Sequence, residues 1–218
     1  YFGGNAGEQT LVDKLSPGKL AEKAPATGAV PLGNASNKYA LTPELIRSRC
    51  DANNIVLVTF VNSKRADYGY TWAGHVQRLG LSNYLVGAMD GEALRKLVAR
   101  KINAFDMESG LTTADYGWGT KNFRQLGLRK TELIINLLRA GADPVLTDAD
   151  ALITKDPTPY VLRYARDADI LVTSDTLHST TTDDGLEEPD KTVHAARNIG
   201  YFYPKHTTLH AMPHWQQK

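Results

Sequence analysis

Cysteine is nearly absent: Cys50 stands alone among 218 residues, so neither an intrachain disulfide nor a cysteine-rich metal site is available. Charge of one sign is equally scarce. The 25 Lys and Arg face 24 Asp and Glu, and a formal +1 provides no field for holding a polyanionic backbone, which sets nucleic acid aside as a partner. No apolar run approaches the ~20 residues that span a bilayer as a helix, so no membrane span is expected in this chain. An initiating Met is missing too; the chain opens at Tyr1 and is read as processed or partial, with any signal or anchor lying elsewhere. What is present is a 42% hydrophobic composition with no dominant block of like charge. Such a chain can bury one substantial core, but not two full domains, and is not expected to be disordered.

Residues 1–41 carry Gly3, Gly4, Gly7, Pro17, Gly18, Pro25, Gly28, Pro31 and Gly33 without sustained apolar periodicity, the pattern of a linker or stem. Within it, Asn34-Ala35-Ser36 fits an N-glycosylation acceptor and hints at a secretory location. Residues 42–218 are expected to form the globular domain. Thr42 followed by Pro43 and Glu44 reads as a helix N-terminus leading through Cys50. From Ile55, β-branched and apolar runs alternate with helical stretches. Strands are expected at Ile55–Val61, Tyr84–Met89, Ile102–Phe105, Pro144–Thr147, Asp169–Thr173 and Asn198–Tyr203. Helices are expected around Tyr70–Leu79, after Asp90, from Asn122 to Ala140 with Gly141 closing it, and near Pro157–Ala165. This βαβα order predicts an α/β fold, a mostly parallel central sheet with helices on both faces. Ser109–Thr120 is a loop long enough to call for a function, and His178–Lys191 a second, acidic one.

In such sheets ligands bind beyond the carboxyl ends of the strands, so polar residues at strand exits are the candidates. Four exits qualify: Thr59 to Asn62, Asp90, Asp148 with Asp150, and Asp175. Asp148 and Asp150 are two apart. On an extended exit both carboxylates would project to one side with Ala149 turned away, a pair of hard oxygen ligands suited to Mg²⁺ or Mn²⁺. By itself Asp-Ala-Asp is equally compatible with two solvated carboxylates at a turn. Asp90 is a candidate helix N-cap as much as a site residue. The histidines His178, His194, His206, His210 and His214 invite a metal reading, but the i, i+4 pair His206 and His210 is flanked by Pro204 and Pro213 with no glutamate between, which argues against a zinc-protease helix.

Three blocks go further. Ile55 to Asp90, then Leu128-Arg129-Lys130 through Ala142-Asp143-Pro144-Val145-Leu146-Thr147-Asp148-Ala149-Asp150 with the trailing Asp156-Pro157, then Ala168–Asp175 and Asn198-Ile199-Gly200-Tyr201-Phe202-Tyr203, resemble in order the plant-type nucleotide-diphospho-sugar transferase family, which includes arabinosyl- and xylosyltransferases. The resemblance implies a GT-A-like fold with a Rossmann-like nucleotide-binding half, a UDP-sugar donor, and Mn²⁺ or Mg²⁺ held by Asp148 and Asp150. It implies Thr59 and Asn62 near the uridine, Lys130 facing the diphosphate or sugar, and Asp175, Asn198 and Gly200 on the sugar and acceptor side, Asp175 being the one strand-exit carboxylate available as a catalytic nucleophile. Plain structural roles remain open for each: strand or helix caps for Thr59 and Asn62, a solvated helix charge for Lys130, a turn for Asn198. The expected activity is transfer of a sugar, a pentose such as arabinose or xylose, to a hydroxyl of a glycan or hydroxyproline-rich glycoprotein, with retention of configuration, in the Golgi or another secretory lumen. Family members continue past the last strand, so the domain is expected to be C-terminally incomplete. Two other readings stand beside this one: a noncatalytic sugar-binding or structural module that kept the fold, and a haloacid-dehalogenase-like phosphatase with Asp148 as nucleophile and Asp150 as general acid.

Overall fold

The structure, a computed structural model, describes residues 37–111, 121–174 and 197–210. Asn34-Ala35-Ser36, Asp175, the acidic loop 178–191 with His178, and His194 and His214 lie outside the described residues, as do 112–120 of the first long loop and the side chain of Asn198.

The chain forms helix α1 (Pro43–Ser48), strand β1 (Ile55–Val61), a 3₁₀ turn (Ser63–Arg65), α2 (Ala66–Arg78), β2 (Tyr84–Ala88), α3 (Gly91–Ala99), β3 (Ala104–Asp106), α4 (Lys121–Arg139), β4 (Asp143–Thr147), α5 (Thr158–Tyr164), β5 (Ile170–Ser174), β6 (Arg197–Pro204) and a second 3₁₀ turn (His206–His210). The six strands make one sheet in the order β3-β2-β1-β4-β6-β5. β3, β2, β1 and β4 run parallel, and β6 enters antiparallel between β4 and β5. The mostly parallel α/β architecture expected from the sequence is what forms.

Strand alternation sorts the side chains into two cores. Val56, Val58, Leu85, Leu146 and Phe202 pack with Ile46 of α1 and Leu133, Ile134, Leu137 and Leu138 of α4 on one face. Ile55, Leu57, Val61, Val86 and Val145 pack with Trp72 and Val76 of α2, Leu97 of α3 and Val161 of α5 on the other. Both faces of the central strands are covered, which is why they read as unbroken apolar runs.

Caps set the ends of the elements. Thr42 accepts the Leu45 N–H at 3.2 Å and Pro43 takes the first helical position, as expected. Asp90 accepts N–H groups of Glu92 and Ala93 and is therefore the N-cap of α3. Gly141, at φ 84°, ends α4 in the left-handed conformation. Two boundaries differ from expectation. α2 begins at Ala66, ahead of Tyr70, because the turn capped by Asn62 feeds directly into it. β3 is Ala104–Asp106, shifted along the chain because Val86 pairs with Ala104 and Ala88 with Asp106. On the outer edge of β3, Asp106 N–H bonds the carbonyl of Tyr39 at 2.8 Å, and Ala40 and Leu41, the last residues of the segment read as stem, are buried.

Candidate functional site

β1 leads to β2 and β3 on one side of the sheet, and the chain then returns to lay β4 on β1's other side. Between the carboxyl ends of β1 and β4 the topology therefore reverses, the place where an open α/β sheet leaves a crevice. A pocket of about 540 Å³ lies there, within the range of small-molecule sites. Its lining mixes apolar and aromatic residues, among them Phe60, Val61, Tyr68, Met89, Phe123 and Leu126, with the charged residues Arg65, Lys130, Asp148 and Asp150; Asn62, Gly127 and Ala149 complete it.

Helix and strand lengths explain how Lys130 and Asp148 meet. α4 runs back over the sheet before the tight turn at Gly141, and β4 then rises beneath it. Nine helical residues from Arg139 back to Lys130 rise roughly 13 Å, and five extended residues from Asp143 to Asp148 about 16 Å, so the two side chains arrive at the same height. Lys130 Nζ lies 2.8 Å from Asp148 Oδ1. The Lys130 side chain is 9% exposed and that of Asp148 48%, so the ammonium comes from inside the fold and meets the carboxylate at the pocket wall. Phe123, Leu126, Gly127 and Lys130 repeat at helical spacing along the face whose continuation, Ile134 and Leu137, enters the core. One helix face is thus core in its second half and pocket wall in its first.

The exit of β4 is fixed from both sides. Asp148 N–H donates to the Gly200 carbonyl at 3.0 Å, tying the strand to β6. Thr147 Oγ1 accepts the indole N–H of Trp72 at 2.8 Å, with both residues buried. Beyond Thr147 the chain does not stay extended. Ala151 N–H bonds the Asp148 carbonyl at 3.0 Å, closing a turn over Asp148-Ala149-Asp150-Ala151. The extended geometry expected for the pair is therefore replaced by a turn, and Ala149 lines the pocket together with both aspartates.

The exit of β1 is held as firmly. Asn62 Oδ1 accepts the Arg65 N–H at 3.0 Å, and Asp90 Oδ2 accepts the Ser63 N–H at 2.8 Å. Lys96 Nζ donates to the Ser63 carbonyl at 3.1 Å. Asn62 thus both caps the turn and faces the pocket. Arg65 projects over the Tyr68 ring, its guanidinium carbon 5.6 Å from the centroid.

Thr59 does not share this position. It is fully buried, its Oγ1 has no hydrogen-bond partner, it does not line the pocket, and strand alternation puts it on the sheet face of Ile55 and Leu57, opposite to that of Phe60. Gly200 enters the site through its carbonyl. His206 lies far from the pocket in sequence and role: its Nδ1 is 2.7 Å from Asp143 Oδ1, at the opposite end of β4 from Asp148. Among the described residues no three His, Cys, Asp or Glu side chains form a group able to hold a metal by themselves. Asp148 and Asp150 offer hard oxygen ligands at an open pocket, which suits a divalent cation whose other positions are filled by ligand oxygens and water.

Arg65, Tyr68, Phe60 and Phe123 were not singled out in the sequence. Phe123 could have been found by counting back one and two turns from Lys130; the others depend on how the turn after β1 folds.

A mostly parallel sheet with a pocket at its switch point defines an α/β fold of the open-sheet class, in which small ligands bind at this place. The model of the nucleotide-diphospho-sugar transferase family matches residues 79–218, and the chain belongs to that family. It is 40% identical over 165 residues to arabinosyltransferase XEG113 of Arabidopsis thaliana, covering 76% of this chain and 25% of that protein. It is 22% identical over 117 residues to beta-arabinofuranosyltransferase RAY1 of the same plant, covering 52% of this chain and 22% of that protein. The chain therefore spans about a quarter of the length of these relatives. Among solved structures, CMP:2-keto-3-deoxy-manno-octonic acid synthetase complexed with CTP aligns with a TM-score of 0.41 and 9% identity over 73% of this chain and 77% of that one. Family membership displaces the phosphatase reading, which places the aspartate pair after the first strand of the domain; here the pair follows β4.

Proposed function

We propose that the pocket binds a UDP-sugar and that the chain takes part in transferring a pentose, arabinose in the first instance, to a hydroxyl of a glycan or hydroxyproline-rich glycoprotein. The observation that carries this is a switch-point pocket lined both by Lys130, Asp148 and Asp150, with the lysine and Asp148 in contact, and by the aromatic rings of Phe60, Tyr68 and Phe123. A sugar nucleotide has matching parts, a flat base and an anionic diphosphate. The base fits beside Phe60, Tyr68 and Phe123, with Asn62 offering polar contact, and the diphosphate fits at Lys130. The choice of arabinose follows the names of both relatives.

Asp148 and Asp150 would hold Mn²⁺ or Mg²⁺, which when bound neutralises charge on the departing diphosphate. The residues of the chain supply the rest. Lys130 would orient the diphosphate, and the Asp148 N–H bond to Gly200 fixes the backbone from which the carboxylate projects. Both described carboxylates of the pocket are committed to this end, which favours retention by departure and attack on one face, with the diphosphate accepting the acceptor's proton. Asp175, the alternative nucleophile, and Asn198, proposed for the acceptor side, would be tested by substitution. Among the described residues no helix is long and apolar enough to cross a membrane. A secretory lumen of the Golgi type is the compartment that this chemistry and the Asn34-Ala35-Ser36 acceptor suit.

The test is titration of UDP with and without Mn²⁺. Metal-dependent binding that disappears in Asp148→Ala supports the donor site, and absence of any binding removes it. Transfer of radiolabelled pentose from UDP-pentose to a glycan then addresses turnover.

A further inference from the structure

Lys130 has one of the few buried polar side chains in the described structure, and its ammonium reaches Asp148 Oδ1 at 2.8 Å. An ammonium removed from water to this extent requires an anion beside it. The same carboxylate is the one that would hold a divalent cation, so lysine and metal compete for Asp148. The charges lining the pocket sharpen the conflict. Among the described residues that line the pocket, Lys130 and Arg65 balance Asp148 and Asp150, so these side chains alone would leave the charge of an entering divalent cation uncompensated. A diphosphate supplies the missing negative charge and offers the ammonium an alternative partner.

We infer that Lys130 makes cation and nucleotide binding interdependent: it occupies Asp148 until a nucleoside diphosphate draws it away, and only then is the carboxylate fully open to the metal. This rests on the donor-site reading above, but adds a role for one residue that the reading does not require. An ammonium roughly 5 Å from a divalent ion weakens its binding by about tenfold even at a water-like dielectric. By reciprocity, the nucleotide must tighten metal binding by the same factor that the metal tightens nucleotide binding.

The experiment measures Mn²⁺ binding to the 218-residue chain by the electron paramagnetic resonance signal of free Mn²⁺, alone and with saturating UDP. The wild-type chain is expected to bind Mn²⁺ weakly alone and more tightly with UDP. Lys130→Met, which keeps the stem's apolar bulk and removes the charge, should bind Mn²⁺ alone about tenfold more tightly and gain correspondingly less from UDP. Lys130→Arg, retaining the charge, should keep the wild-type pattern. Equal Mn²⁺ affinity of the wild-type chain with and without UDP overturns the inference and, by the same reciprocity, metal-dependent donor binding with it. Lys130→Met binding Mn²⁺ alone no more tightly than wild type, while UDP still promotes binding in the wild type, overturns the inference only; the donor site then stands. Failure of the wild-type chain to bind Mn²⁺ under either condition overturns the inference and the metal site together.

Discussion

Removing the hydroxyl of Thr147 tests whether the exit of β4 is held by a single buried bond. Trp72 and Thr147 are 0% and 1% exposed, and the indole N–H reaches Thr147 Oγ1 at 2.8 Å. In Thr147→Val the indole N–H keeps its place but loses its acceptor, and a buried donor left unsatisfied costs about 1–3 kcal/mol. At about 2 kcal/mol the melting temperature of a domain this size falls by roughly 4–8 °C. Trp72→Phe strands the hydroxyl and also leaves a space where the indole's second ring packed, so its loss is larger, roughly 3 kcal/mol. In the double variant neither unsatisfied partner remains. The combined loss should therefore fall short of the sum of the single losses by at least ~1 kcal/mol, measured by urea denaturation of all four chains. If the losses add to within about 0.3 kcal/mol, the bond contributes nothing beyond local packing and the account of the strand exit is wrong. Because Asp148 follows Thr147 directly, UDP affinity measured alongside should fall more in Thr147→Val than its stability loss alone would cause.

The turn after β1 makes a second prediction. Asp90→Ala removes the N-cap of α3 and the acceptor of Ser63 N–H together, so it should destabilise the chain by about 1–2 kcal/mol by denaturation and weaken UDP binding through the displaced turn of Asn62 and Arg65. Glu at that position, longer by one methylene, should not restore the binding. Cys50 makes a third. Burial, reinforced by Asp51 and Asp143, pushes its thiol up to about 11, and its Sγ donates to the Ile46 carbonyl at 3.3 Å. The thiolate is the reactive form, so iodoacetamide should modify the folded chain very slowly at pH 8 and faster as pH climbs toward 11. The folded chain holds this proton more tightly than the unfolded one, so its contribution to stability is intact below pH 9.0, the ordinary thiol value, and is lost as pH rises through about 11. Rapid alkylation at pH 8 with the chain still folded would contradict this.

The sheet was legible because burial on both faces writes itself into the sequence as unbroken runs such as Ile55–Val61 and Tyr84–Ala88, punctuated by Thr42, Asp90 and Gly141. Lys130 and Asp148 of the pocket were legible for the same reason: Asp148 follows an apolar strand, and Lys130 stands one helical turn ahead of a core stripe. Thr59, a polar residue near a strand end, looks like an exit residue in the sequence, whereas in the structure it is buried and does not line the pocket. The sequence left the pair open between a strand end and a turn, since nothing local distinguishes Asp-Ala-Asp in the one from Asp-Ala-Asp in the other; the hydrogen bond from Ala151 decides it. Arg65 and Tyr68 reach the pocket from a turn that Asn62 caps and that Asp90, 27 residues away in sequence from Ser63, helps to hold. Such long-range bonds leave no periodic trace.

Gly127 joins these levels. It lies inside α4, where glycine costs roughly 1 kcal/mol relative to alanine because its backbone loses more freedom on folding. Steric crowding does not explain its presence, since a Cβ built there meets nothing within 4 Å. Its face of the helix is the pocket wall, one turn before Lys130. The space left by the absent side chain is therefore space in the pocket, and the helix gives up local stability to keep it. Gly127→Ala should accordingly raise the melting temperature by about 2–4 °C while weakening UDP binding, two opposite changes from one methyl group. Calorimetric melting and nucleotide titration on the same preparation give both values. A variant that gains stability and binds UDP as tightly as the wild type would show that the ligand does not approach this wall, and the diphosphate would then have to lie nearer Arg65 and the exit of β1 than the path past Lys130 allows.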